Sequence, residues 1–444
     1  MRDLADGRAT DRAGTGEAGY GADKRTVFVF PGQGSQWPGM GRSLTASLPA
    51  FATTLDACDT AVRQETGRSV RETLDAATDA FPDEVATVQP VLWATQVALA
   101  AAWRDMGVDP EMCVGHSMGE VAAAAVTGAL CLPDAAAVIC RRSTLMQRTA
   151  GQGAMMSVDL SPEQAAELLA HESGVCVAAR NAPTSTVLAG DTAALRRIGE
   201  RLEREGVFHR LVRVNVASHS PAMDQLRDDL LAALASLDPR DGDLPLHSTV
   251  LDAPLSGAQL DAAYWMDNLR RPVRFLDAMR TLVKESDNVF VEISPHPLLQ
   301  SAIEETALEF GGSSAAVAST SRRSPDEALT LARSLGAFFA RGGRVDWERW
   351  FGTTVRPVRL PAYPWDAEVL RRTPPSAAPA PRPAAVTHVR TDLTDAIVSL
   401  RGLTPSLPSS SSPPSTRPSP PPPRTPPPPP RRAPSSWRTY GSWR

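Results

Sequence analysis

Gly115-His116-Ser117-Met118-Gly119 is a G-x-S-x-G pentapeptide, and the reading of the whole chain works outward from it. A serine on a sharp turn from strand to helix is forced into strained backbone, and glycines on either side remove side chains that would clash there. Such a turn lifts the hydroxyl clear of the sheet and brings the N-terminus of the next helix close to it. The backbone N–H of Met118 then faces the place where an oxyanion would develop. A short segment at 111–115 precedes the turn and a small-residue run at 121–125 follows it. Strand, elbow, helix is therefore the expected order, and it implies an α/β fold.

Upstream, Val27-Phe28-Val29-Phe30 is an apolar run halted by Pro31-Gly32. It predicts a buried strand that ends in a glycine-rich loop, Pro31 to Gln36. That loop lacks the Lys and Ser/Thr of a phosphate-binding loop, and Trp37 stands where a dinucleotide fingerprint needs its third glycine. Its remaining use is a backbone N–H for an oxyanion, or a plain tight turn. Helical spacing is read at 92–103, 120–130 and 133–148. Residues 154–214 then change rhythm, as strand 154–158, helix 162–171, strands 175–179 and 186–189, helix 193–205 and strand 208–214. This βαββαβ order is the ferredoxin-like unit, here inserted at about 153–214. One further clear strand is expected at 289–293. The fold class expected is an α/β-hydrolase-like core with a parallel sheet plus an inserted ferredoxin-like subdomain.

The chain has 444 residues and 42 % hydrophobic side chains, enough to bury a large core in one main domain. A formal net charge of −4 does not suggest a nucleic-acid binder or a polybasic membrane protein. Residues 1–25 are polar and read as a disordered arm without the apolar stretch of a signal peptide, and the run at 121–130 is too short to span a bilayer. Five cysteines with no metal-like spacing read as reduced thiols, so a cytoplasmic location without bound metal is expected. From about 367 the chain becomes rich in Pro, Ser and Arg, and about half of its 40 prolines lie there. That composition reads as a disordered tail, with a possible short helix in the apolar patch at 393–403.

A serine needs a base. Of seven histidines, two are candidates by pattern: His219, after a strand end, and His296, between two prolines. The pattern leaves both open and leans to His219. No Asp stands in the chain order of a hydrolase triad, so a Ser–His dyad with a backbone carbonyl as orienter is the simplest arrangement. Arg142, 25 residues after Ser117, is either a carboxylate ligand or a solvated helix arginine beside Arg141.

These motifs stand in one order with Asn181-Ala182-Pro183, Ala217-Ser218-His219, Tyr264-Trp265, Pro272-Val273-Arg274-Phe275 and Ser294-Pro295-His296-Pro297. Together they resemble the acyltransferase domain of type I polyketide synthases, related to malonyl-CoA:acyl carrier protein transacylases. The resemblance spans about residues 26–366, with a post-domain linker at about 345–366. It implies Ser117 as nucleophile, His219 as base and Arg142 as the ligand of an extender's free carboxylate. It implies Gln33 and Met118 at the oxyanion, the backbone carbonyl of Asn268 as orienter of the histidine, and Gln89 and Asn181 as polar residues near the pocket.

The expected reaction moves a malonyl-type group from acyl-CoA to the phosphopantetheine arm of an acyl carrier protein. No cofactor is bound; the partners are acyl-CoA, the carrier protein and other polyketide synthase domains, with neither nucleic acid nor membrane. Val216-Ala217-Ser218-His219 is similar to the Tyr-Ala-Ser-His type associated with methylmalonyl transfer but begins with Val. Ser218, in place of a bulky Phe, leaves room for an α-methyl group. Methylmalonyl is therefore favoured, with malonyl and ethylmalonyl open. The alternatives are an acyl-carrier thioester hydrolase and a non-catalytic truncated fragment.

Overall fold

The computed structural model describes residues 24–77, 80–285, 287–311 and 326–352, together with the backbone of short strands at 13–16, 315–317, 387–390 and 398–399. The rest of the expected N-terminal arm, of the linker beyond 352 and of the Pro-rich tail lies outside the described residues. Strands Ala13–Gly16, Thr387–Arg390 and Val398–Ser399 pair antiparallel. They are the described parts of the two termini, and the short helix expected at 393–403 lies, apart from Val398 and Ser399, outside the described residues. Strand pairing draws on backbone groups that composition does not display.

The core is a six-stranded sheet. Its order is Ala315–Val317, Asn288–Glu292, Arg25–Phe30, Met112–Gly115, Leu246–Ser248 and Ala253–Leu255. All pairs are parallel except the last. Parallel strands covered on both faces read as continuous apolar runs, which is why Val27 to Phe30 lacks alternation. Phe28 and Phe30 pack on one side with Leu92, Trp93, Val121 and Ile139, from helices Val85–Asp105, Gly119–Thr127 and Leu132–Gln147. Val27 and Val29 pack on the other with Phe275, Met279 and Ile303, from helices Phe275–Glu285 and Gln300–Glu309. Val85–Asp105 is the one helix among the described residues long and apolar enough to cross a membrane, yet 83 % of its apolar window is buried inside the protein. It starts seven residues before the expected 92 and contains Pro90, which lacks the N–H that would bond one turn back.

The second sheet is antiparallel, in the order Val175–Ala182, Ser185–Gly190, Ala154–Val158, His209–Leu211. Helices Pro162–Leu169 and Thr192–Arg204 supply its apolar cover through Ala165, Leu168, Leu195, Ile198 and Leu202. The strand order is that of a ferredoxin-like unit, so the expected mixed α/β core with a smaller antiparallel subdomain is the fold observed. Strand Val175–Ala182 is tied to the segment leading into helix Phe275–Glu285 by backbone bonds, Arg180 N–H to the Val273 carbonyl and Val273 N–H to the Ala178 carbonyl, both 2.9 Å.

Candidate active site

Strand Met112–Gly115 runs into helix Gly119–Thr127 through His116, Ser117 and Met118. Ser117 has φ 55°, in the left-handed region that a non-glycine residue occupies only under constraint. Both flanking glycines are required by space. A Cβ on Gly115 would lie 2.2 Å from the Glu120 nitrogen, and one on Gly119 would lie 2.0 Å from the Phe30 carbonyl. The glycine-rich loop after Phe30 reaches the same turn, since a Cβ on Gly32 would stand 3.9 Å from the Ser117 Cβ. Gln33 follows in that loop, half-buried. Met118 is buried directly before the helix, where backbone N–H groups have no partner one turn back.

Ser117 Oγ lies 2.7 Å from His219 Nε2. His219 Nδ1–H donates to the Arg271 carbonyl at 2.9 Å, and this fixes the tautomer with Nε2 as acceptor. The His219 backbone N–H donates to the Leu269 carbonyl at 3.0 Å. Of the two histidines left open by pattern, His219 is thus the one beside the hydroxyl. His296 sits in a loop held by buried Glu292, which accepts from Leu298 N–H at 2.7 Å and Leu299 N–H at 2.9 Å.

The orienting carbonyl was expected on Asn268 and belongs to Arg271 instead. Asn268 is inside helix Ala262–Arg270, where carbonyls point along the axis; Arg271 is the first extended residue past it, and its carbonyl turns aside. Asn268 acts through its side chain. Its Nδ2 donates to the Ser117 carbonyl at 3.2 Å and to Glu120 Oε2 at 2.8 Å, and its Oδ1 accepts from Arg142 Nη1 at 2.8 Å.

Arg142 is fully buried. It continues the buried face of helix Leu132–Gln147 through Ala135, Val138, Ile139 and Met146, while Arg141 on the next face pairs with Glu65 at 2.8 Å. Arg142 Nε and Nη2 are buried without a hydrogen-bond partner among the described residues. Burial lowers the Arg142 pKa to about 10, opposed by the Glu120 carboxylate, so the guanidinium stays charged at neutral pH.

Glu120 is buried and accepts from Thr249 N–H at 2.6 Å, Thr249 Oγ1 at 2.9 Å and Tyr264 OH at 2.6 Å as well as from Asn268. Burial holds the pKa of its carboxyl above the usual carboxylate range, and these donors offset the rise only in part. The sequence reading placed Glu120 at the end of the elbow motif and gave it no role. The available signal was a carboxylate in the first turn of an otherwise alanine-rich buried helix, which demands partners.

Among the other expected residues, Asn181 Oδ1 accepts from His116 Nε2 at 2.9 Å, so it braces the elbow histidine. Gln89 is buried with its Oε1 unpartnered among the described residues, and Ser218 is buried next to His219. A cavity of about 320 Å³ lies beside the histidine loop, lined by Gln152, Cys176, Asp191, Ala217, Ser220 and Pro221 among others, but not by Ser117 or Arg142. Among the described residues, no group of three or more His, Cys, Asp or Glu is placed to hold a metal.

Burial, the Arg142 cation and His116 lower the His219 pKa to about 3. The imidazole is then neutral throughout the range where a free histidine titrates. The rate at which Ser117 is acylated is expected to be flat from pH 8 to pH 5, read by single-turnover mass spectrometry. An inflection near 6.5 would mean that the ring titrates as an exposed side chain.

A strained elbow serine thus stands beside an imidazole, on a mostly parallel sheet with a ferredoxin-like insertion. The family model described as the acyl transferase domain matches residues 27–344, and the chain belongs to that family, as the acyltransferase domain of a type I polyketide synthase. It is 45 % identical over 367 residues to the spectinabilin polyketide synthase system protein NorA' of Streptomyces orinoci, covering 82 % of this chain and 10 % of that protein. Against erythronolide synthase EryA3 of Saccharopolyspora erythraea it is 42 % identical over 370 residues, covering 82 % of this chain and 12 % of the relative. The chain thus spans about a tenth of the length of these relatives. Among solved structures, the acyltransferase domain from module 8 of the salinomycin polyketide synthase is similar with TM-score 0.74 and 40 % identity, over 78 % of this chain and 82 % of that one. A loading acyltransferase from the avermectin polyketide synthase is similar with TM-score 0.66 and 38 % identity, over 70 % and 98 %.

Proposed function

We propose that the chain transfers a malonyl-type extender, methylmalonyl by preference, from coenzyme A to the phosphopantetheine thiol of an acyl carrier protein. His219 Nε2 takes the hydroxyl proton as Ser117 Oγ attacks the thioester carbonyl. The C–S bond breaks, the proton passes from His219 to the departing coenzyme A thiolate, and the acyl group rests as an ester on Ser117. The carrier thiol then attacks that ester with His219 again as base, and the serine oxygen recovers its proton. The backbone N–H groups of Met118 and Gln33 are assigned to the oxyanion, at the helix start and on the loop facing it.

One observation carries the dicarboxylic substrate: the free Nε–Nη2 edge of Arg142. Its Nη1 is held by Asn268, which leaves unpartnered the edge that takes a carboxylate with two parallel bonds. Gln89, with its unpartnered Oε1, is assigned to the same pocket. The assigned domain runs from about 26 to 366, with the inserted subdomain at about 153–214.

The test is intact-protein mass spectrometry after mixing with malonyl-CoA and methylmalonyl-CoA together, followed by carrier protein. A methylmalonyl adduct that transfers to the carrier is expected. An adduct that decays equally fast with and without carrier would make the protein a hydrolase. Ser218→Phe is expected to shift the competition toward malonyl by about tenfold, the worth of a methyl-sized change in a pocket. No shift would remove Ser218 from extender choice.

A further inference from the structure

We infer that Glu120, acting through the Asn268 side chain, is a positioning residue that aims Arg142 and holds the elbow at the same time. This rests on the proposed role of Arg142. A guanidinium only donates, so the Asn268 atom 2.8 Å from Arg142 Nη1 is the oxygen. The Ser117 carbonyl and the Glu120 carboxylate only accept, so the atom facing both is the amide nitrogen. The orientation of this one amide is fixed from three sides, and a single flip would break all three bonds. Glu120 is itself fixed. Its Oε1 must accept the Thr249 N–H, and its Oε2 takes Asn268 and Tyr264.

Glu120→Gln keeps the shape and reverses one polarity. The Thr249 N–H requires the new oxygen at the Oε1 site, which turns the new NH2 toward Asn268 Nδ2. Two donors then face each other. If Asn268 flips to relieve this, it points a donor at Arg142 and an acceptor at the Ser117 carbonyl. Either way the guanidinium loses its aim. A carboxylate that only balanced charge would act oppositely, since removing it would strengthen the pull of Arg142 on an anionic acyl group.

The experiment measures rates of Ser117 acylation from malonyl-CoA and acetyl-CoA in the full chain, with thermal melts to show which variants are folded. The malonyl-to-acetyl ratio is expected to fall about tenfold or more in E120Q, the worth of one charge-assisted bond. N268S, which keeps both charges and deletes the bridge, is expected to lower the ratio in the same way. E120D, which keeps the acceptors, is expected to recover part of it. A parental or raised ratio in folded E120Q overturns the inference, and so does a parental ratio in N268S should E120Q not fold. R142A separates the two layers. A collapsed ratio in R142A with a parental one in E120Q sinks the positioning role alone, whereas a parental ratio in R142A sinks the proposed function and this inference with it.

Discussion

Ser117→Ala is expected to abolish acyl-enzyme formation from any acyl-CoA, a loss of about 10³-fold to 10⁶-fold in turnover. Among the described residues the hydroxyl is the group that stands 2.7 Å from a neutral, oriented imidazole, and without it no oxygen lies in line with the base. The variant should fold as the parent does. Ala suffers the same left-handed backbone at φ 55° that Ser already accepts, so nothing new is strained. Intact mass with peptide mapping checks the result. An adduct of parental amount on another residue would show that the elbow is not the acylated position.

Arg142→Ala should change the identity of the favoured acyl group more than the rate itself. Removing one partner of a buried charged pair costs about 2–5 kcal/mol, so malonyl and methylmalonyl loading should fall by about 10²-fold or more. Acetyl loading should hold or rise. With an acetyl group in place the parent leaves the Nε–Nη2 edge without a partner, and deletion of the guanidinium removes that buried cation altogether. Parallel losses for both acyl classes, measured as acylation rates, would take Arg142 out of substrate selection and leave it a structural residue.

Much of this was legible along the chain. The elbow could be read because steric need leaves glycine few substitutes at Gly115 and Gly119, where backbone approaches within about two ångströms of a would-be Cβ. The inserted unit could be read because apolar rhythm switches between strand and helix at each boundary. The strands Leu246–Ser248 and Ala253–Leu255 are three residues each, too short to show any rhythm. Arg142 looked ambiguous beside Arg141, although its spacing from Ala135, Val138, Ile139 and Met146 already places it on the inner face of its helix.

The polar bonds were not legible. Which carbonyl meets His219 depends on where helix Ala262–Arg270 ends, and a one-residue boundary is the least certain thing a sequence gives. The Asn268 bridge joins residues 126 and 148 positions apart, and no local pattern encodes such a meeting.

Those long separations bear on how the chain is made. The serine leaves the ribosome more than a hundred residues ahead of the imidazole and about a hundred and fifty ahead of Asn268 and Arg271. Until residue 271 has been synthesised and the loop closed, the hydroxyl has no oriented base and no bridge beneath it. A nascent chain that stops short of Arg271 therefore carries the Ser117 hydroxyl without the oriented imidazole beside it.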